Sequence, residues 1–409
     1  MTAPGPLAHL RVLDLSRVLA GPWAGQVLAD LGAEVIKIER PGAGDDTRAW
    51  GPPWLKDADG RETGESAYYL SCNRGKKSVT VDISRPQGQD IVRALAAKSD
   101  ILLENFKVGA LARYRLAWPD LQSLNPGLIY CSISGFGQEG PYRDRAGYDF
   151  MIQAMGGLMS VTGEPDSAPG GGPVKVGVAI ADIMTGMYAA TGVLAALARR
   201  ALTGRGEYLD LALLDVEVAM LANQAMNYLV SGQPPGRLGN AHPNIVPYQA
   251  FRTRDGNLAL AVGNDRQFAK FCEIAGQLEL ASDPRFATNA ARVQHRAALV
   301  PLIADLMTDR GTAEWIAALE PAGVPCGPIN TLDQVFADPQ VRHRGLRVEP
   351  EHPTAGSVPL VASPLRFSGA PAQDGAPPPT LGQHTREVLE HLLGLAPERI
   401  QAMRSDGVI

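Results

Sequence analysis

Cysteine is scarce in this chain: four residues (Cys72, Cys131, Cys272 and Cys326) among 409. None stands in a C-x-x-C pair, which argues against a disulfide framework or a zinc site and for reduced thiols in a cytoplasmic protein. The seven histidines are dispersed too, with no H-E-x-x-H, so no metal centre is expected. The net charge is -5 and no basic tract offsets it, which excludes the electrostatic footprint of a nucleic-acid binder. No run of about 18 apolar residues exists, so no membrane-spanning helix is expected. The opening MTAPGPLAHL has neither a basic patch nor an apolar stretch, and no secretory leader is expected. A glycine run, GFGQEGP at 135–141, resembles a phosphate loop superficially but has no Walker lysine, so NAD- or ATP-dependent chemistry gains little support.

What is present is a rhythm. Residues 11–15 read as a buried strand, 21–31 as a helix and 34–38 as the next strand. Residues 78–83 alternate apolar and polar, Pro86 suits the first turn of a helix to about Lys98, and 101–103 and 128–133 read as further buried strands. Strands separated by helices of this length predict an α/β lobe with a doubly wound parallel sheet, its ligand at the carboxyl ends of the strands. Residues 42–75, rich in Gly, Pro, Trp and charge, interrupt the pattern as a long functional loop. Residues 181–202 predict a helix whose Gly186, Ala189, Ala190 and Gly192 admit close neighbours, and 214–230 predict another. From Tyr248 the character changes. A hairpin with Asp255-Gly256 at its turn, then helical patterns at 265–275, 292–307 and 312–322, predict a smaller α+β lobe.

Asp182 stands at the start of the small-residue helix, where the helix dipole favours a carboxylate. Two readings fit that position: a helix cap, and a nucleophile toward a thioester. Arg40 follows the second strand, and Asn105-Phe106 closes another; an arginine there suits a phosphate and an aromatic suits a base, or both decorate loops. Arg74 lies in the cationic run NRGKK at 73–77, either a solvated edge or an anion site.

Taken together these segments resemble the class III CoA-transferase family (CaiB/BaiF type). The likeness rests on VLDLSRVLAGP at 12–22, LGAEVIKIERP at 31–41, NRGKKS at 73–78, ENF at 104–106 and AGYD at 146–149. It continues in ADIMTGM at 181–187, GVPCGP at 323–328 and LGQHT at 381–385, so it covers nearly the whole chain in order. Within the family it runs most strongly to members using succinate and hydroxymethylglutarate or glutarate, through AHPNIVPYQAF at 241–251, EHPT at 351–354 and PPP at 377–379.

The resemblance implies that Asp182 is the catalytic carboxylate, acylated as an anhydride and then holding CoA as a thioester. It implies CoA contacts from Val18, Leu19, Arg40, Val81, Asn105, Phe106, Arg113 and Tyr148. Arg145 is expected to supply the charge that some relatives place at Ala146. Arg74, His242 and Tyr248 are the candidates for the distal carboxylate of a dicarboxylic acid. No cofactor is expected beyond the acyl-CoA substrate, and no metal. The partners implied are an acyl-CoA, a small carboxylic acid and a second copy of the chain, in an interlocked homodimer. The implied layout is a large CoA-binding domain at 1–205, a linker at 206–245 and a small domain at 246–330. A return linker and C-terminal segment at 331–409 would pack on the large domain. An α-methylacyl-CoA racemase-like isomerase is the alternative, although racemases place a histidine where this chain has Tyr148, a poor base at neutral pH. An inactive CoA-binding subunit is the other.

Overall fold

The computed structural model of the chain describes residues 4–369 and 376–409. Six strands form one wholly parallel sheet, in the order Lys76–Thr80, Glu34–Glu39, Arg11–Asp14, Ile101–Glu104, Ile129–Ser134 and Tyr208–Ala212. Numbered along the chain this is 3-2-1-4-5-6, which is doubly wound as expected. The order reverses between Arg11–Asp14 and Ile101–Glu104, which pair as Val12 with Ile101 and Asp14 with Leu103. The strands are apolar at consecutive positions because both faces are covered. Leu13, Ile36, Val79, Leu102 and Tyr130 face one core with Val92 and Leu95, joined by Val388, Leu389, Ile400 and Met403 from the C-terminal helices. Val12, Val35, Ile101, Leu103 and Ile129 face the other, with Ala24 and Leu28 of the helix Ala20–Asp30 and Ala189 and Val193 of the helix Ile180–Thr203.

Those two helices touch closely because of a glycine. A methyl group on Gly186 would lie 2.6 Å from the Ala20 carbonyl oxygen and 2.9 Å from Trp23 Cβ. One expectation needs correcting here: by length and composition the 24-residue helix Ile180–Thr203 is apolar enough to cross a membrane. In the fold its Ala181, Ala189, Ala190, Val193 and Ala196 are buried.

The chain divides into two units: residues 1–157, 176–225 and 339–409 form the first, and 158–175 and 226–338 the second. The second holds a three-stranded antiparallel sheet, in the order Cys326–Pro328, Asn257–Ala261 and Tyr248–Arg252. Phe251, Leu258, Leu260, Phe268, Phe271 and Trp315 fill its core. The division differs from the layout expected above. Tyr208–Ala212 and the helix Leu213–Met220 lie inside the span 206–245, yet belong to the first unit, because the strand completes the large sheet. Residues 158–175, inside the span 1–205, belong to the second. The helix expected at 214–230 breaks into Leu213–Met220 and Ala222–Ser231, where Ala222 takes φ 47. The C-terminal helices Thr385–Leu393 and Pro397–Ser405 pack on the first unit; residues 370–375 of the expected return segment lie outside the described residues.

Candidate active site

The switch point of the sheet is tied together by Asn105. Its side chain accepts from the Arg17 N–H at 2.8 Å and donates to the Arg17 carbonyl at 2.6 Å, joining the ends of strands one and four. The Arg17 guanidinium lies 5.2 Å from the centre of the Phe106 ring. Val18 follows in the left-handed region at φ 71, which costs a β-branched residue on the order of 1–3 kcal/mol. Asn105 is therefore a backbone clamp, with its amide already engaged. Leu19 is buried at the start of the helix Ala20–Asp30, so only its backbone is left to face a ligand.

Beside this switch point lies a cavity of about 480 Å³. Arg40, Val81, Phe106 and Arg113, four of the residues expected at CoA, line it together. Arg40 and Arg113 are exposed, and neither is in an ion pair among the described residues. Two free guanidiniums beside an aromatic ring and an apolar wall suit a nucleotide bearing phosphates. The cavity floor is ionic. Lys37 and Asp45 pair at 2.8 Å with no exposure, and Arg48 pairs with Glu39 at 2.7 Å. Burial raises the Asp45 carboxyl, but the Lys37 charge and the Thr47 hydrogen bonds outweigh it and hold it at about 2.

Asp182 is the third residue of the helix Ile180–Thr203, not its cap: the N-cap is Ala179, which makes no side-chain cap bond. The capping function comes from elsewhere. Asp149 Oδ1 accepts from the Ala181 N–H at 2.9 Å and, more weakly, from the Asp182 N–H at 3.4 Å. Its Oδ2 accepts from Gln153 at 2.7 Å, and Gln153 in turn accepts from the Val176 N–H at 2.9 Å. Asp149 thus takes the helix-end donors and leaves the Asp182 carboxyl unengaged. Burial, and then the neighbouring Asp149 charge, pushes that carboxyl up to about 7. The reading of Asp182 as a cap fails on this geometry.

Three neighbours escaped the sequence reading. Asp149 ends the AGYD motif, which was quoted without giving its acid a role. Its loop is held by glycine contact, since a methyl group on Gly147 would lie 2.4 Å from Gly135 Cα. Tyr68, in the long loop, has its hydroxyl pushed up to about 12 by burial and then by the Asp182 charge, so it stays neutral. Glu217 is fully buried without a hydrogen-bond partner among the described residues, and burial, then Asp149, pushes it up to about 7. No local signal marked Tyr68 or Glu217.

Tyr148 is 62% exposed and precedes the Asp149–Met155 helix, so its ring is available to a ligand. Arg145 is exposed, with its guanidinium 4.6 Å from the Tyr142 ring centre and 5.4 Å from that of Phe136. Arg74 is a correction. It is buried, donates to Asp30 Oδ1 at 2.8 Å and to the Val361 carbonyl at 2.7 Å, and has no free face for a substrate. The glycine run 135–140 does carry G-x-G-x-x-G spacing. It follows the fifth strand and enters a loop rather than a helix, so it is no dinucleotide fingerprint.

In the second unit His242 and Tyr248 are neighbours, with ring centres 5.3 Å apart. The Asn244 N–H donates to His242 Nδ1 at 3.1 Å, which assigns the proton of the neutral ring to Nε2. Arg296 donates to the His242 and Pro243 carbonyls at 2.6 and 3.0 Å, and Asn289 to the Asn244 carbonyl at 2.9 Å, so the loop is held at several points. No group of three or more His, Cys, Asp or Glu suited to a metal ion occurs among the described residues.

Comparison with known proteins adds the following. The family model described as CoA-transferase family III matches residues 7–385. The chain is 52% identical over 387 residues to the succinate–glutarate CoA-transferase of Agrobacterium fabrum, covering 95% of this chain and 96% of that protein. It is 46% identical over 404 residues to the succinyl-CoA:glutarate CoA-transferase of Mus musculus, covering 99% and 90%. A crystal structure of a CaiB/BaiF family protein from Brucella suis matches with a TM-score of 0.84 at 49% identity, covering 95% of this chain and 100% of that one.

Proposed function

Because the chain belongs to CoA-transferase family III, we propose that it moves CoA from succinyl-CoA to glutarate or a similar dicarboxylic acid, such as 3-hydroxy-3-methylglutarate, with Asp182 as the covalent carrier. The observation that carries the role of Asp182 is its carboxyl: uncapped, partly buried in a helix's first turn, and ionising near neutrality. The Asp182 carboxylate attacks the thioester carbonyl, and the C–S bond breaks to give an anhydride and CoA thiolate. The thiolate attacks the Asp182 carbonyl of the anhydride, forming aspartyl-CoA and releasing succinate. The acceptor carboxylate attacks that thioester, giving a new anhydride and thiolate again. Attack of the thiolate on the acceptor carbonyl yields the product acyl-CoA and restores Asp182. Each step exchanges one anion for another, so no proton, hydride or phosphate is consumed, and the scheme needs no permanently bound cofactor.

Arg40 and Arg113 are assigned to CoA phosphates, and Val81 and Phe106 to the adenosine wall, on their shared cavity. Val18 and Leu19 contribute backbone, Asn105 fixes that backbone, and Tyr148 and Arg145 offer exposed contacts along the ligand. His242, through its Nε2–H, and Tyr248, through its hydroxyl, are assigned to the second carboxylate. The reading includes an interlocked homodimer, tested by mass in solution. The reading also includes a cytoplasmic location, in line with four scattered cysteines that form no C-x-x-C pair.

The test is CoA transfer from succinyl-CoA to glutarate, 3-hydroxy-3-methylglutarate, itaconate, malate and oxalate, with Asp182→Ala beside the wild type. Transfer to a dicarboxylate that is lost in the variant supports the reading. Exchange of the α-proton with solvent, without transfer, would overturn it in favour of an isomerase. An unchanged acceptor KM in His242→Ala and Tyr248→Ala would remove those two from the pocket.

A further inference from the structure

The strained residue Val18 stands two residues before the helix Ala20–Asp30, and its restraint comes from two buried charges with no role in the scheme above. Asp45 Oδ1 accepts from the Val18 N–H at 3.3 Å, the Thr47 N–H at 3.0 Å and the Thr47 hydroxyl at 2.8 Å. The other Asp45 oxygen meets Lys37 Nζ at 2.8 Å, and both side chains are fully enclosed. The same ammonium donates to the Ser16 carbonyl at 2.8 Å, so one cation holds the chain two residues before Val18 and the carboxylate that holds Val18 itself. On the far side the Val18 carbonyl faces Cys72 Sγ at 3.7 Å. Val18 leads through Leu19 into the helix Ala20–Asp30, whose first carbonyl lies against Gly186, one turn beyond Asp182.

We propose that the Lys37–Asp45 pair is a positioning device, which keeps Val18 left-handed and so sets the helix Ala20–Asp30, and the thioester lying along it, against Asp182. The proposal rests on the CoA-transferase reading for its substrate. A pair that served only the fold would need no strained residue at its focus; here the carboxylate spends a hydrogen bond on that residue. Lys37 and Asp45 also line the cavity of Arg40 and Arg113, so the nucleotide end and the reacting end of the ligand share one rigid base.

Asp45→Asn keeps the shape and removes the charge. Misplacement of the thioester is expected to lower kcat on the order of 100-fold. Adding Val18→Gly is expected to restore kcat about tenfold, because glycine adopts φ near 71 without the strain that the anchor must otherwise overcome. Amide hydrogen exchange across residues 16–20 should quicken in Asp45→Asn and be unaffected at the C-terminal helices. If Asp45→Asn does not fold, Lys37→Met with Asp45→Ala removes both charges and leaves neither buried alone. A variant with lowered Tm but unchanged kcat and unchanged exchange at 16–20 would overturn the proposal, as would failure of Val18→Gly to restore kcat. If the wild type transfers CoA to no acid, the functional reading fails instead, and the exchange at 16–20 alone decides whether the pair positions Val18.

Discussion

Replacing Asp182 with Asn should make the protein inactive and, above neutral pH, more stable. The folded carboxyl titrates at about 7 against an ordinary 3.8, with burial as the first cause and Asp149 as the second. Between those values the native state keeps a proton that the unfolded chain has lost. The associated stability is complete below pH 3.8 and is lost as pH rises through 7. The difference is about three pH units, and at about 1.36 kcal/mol each the ceiling is about 4 kcal/mol. Partial exposure of Asp182 screens the charge, and we expect about 2 kcal/mol at pH 8, or roughly 3 °C in Tm. Asn never ionises and escapes this cost. Thermal melts of wild type and Asp182→Asn should therefore coincide near pH 4 and separate by pH 8, with the variant higher. In parallel, wild-type kcat/KM should rise about tenfold per pH unit up to a midpoint near 7, because only the carboxylate attacks. A variant no more stable than wild type at pH 8, or wild-type activity that stays level down to pH 5, would refute the reasoning.

Arg74→Ala should remove the ion pair to the buried Asp30 carboxylate and cost about 3 kcal/mol, read by denaturant titration, with no change in acceptor KM at low temperature. A raised acceptor KM with unchanged stability would return Arg74 to the substrate pocket. Tyr68→Phe should leave the activity limb near pH 7, because a hydroxyl pushed up to about 12 carries no charge there. A limb displaced by a full unit would mean that the phenol is charged, or bonded to Asp182, in the working enzyme.

The chain's own order determined the parts whose physics is local. Burial on both faces makes a parallel strand apolar along its length, so residues 11–15, 34–38 and 101–103 were readable as strands without their neighbours. The hairpin Tyr248–Arg252 with Asn257–Ala261 was equally plain, because Asp255-Gly256 marks its turn. The helix carrying Asp182 was visible in its small residues, and its bounds differ from expectation by one residue at each end. The alternation of strands and helices implied a parallel, doubly wound sheet, whereas the strand order and the switch point beside Asn105 came only from the fold.

Only the tertiary structure decided what each side chain is free to do. Arg74 looked available in a cationic run, but Asp30, 44 residues away, consumes its guanidinium. Asp182 looked as much a cap as a nucleophile, until Asp149, 33 residues earlier, was found holding the helix end. Val18 showed no sign of its left-handed backbone, since the Asp45 carboxylate that holds it stands 27 residues on and depends on Lys37 for its charge. The break at Ala222 and the transfer of residues 158–175 to the second unit were hidden in the same way. Periodicity along a chain encodes which face a segment buries. Which carboxylate meets which cation depends on distances across the fold, and a carboxyl group acquires its pKa only once those distances exist.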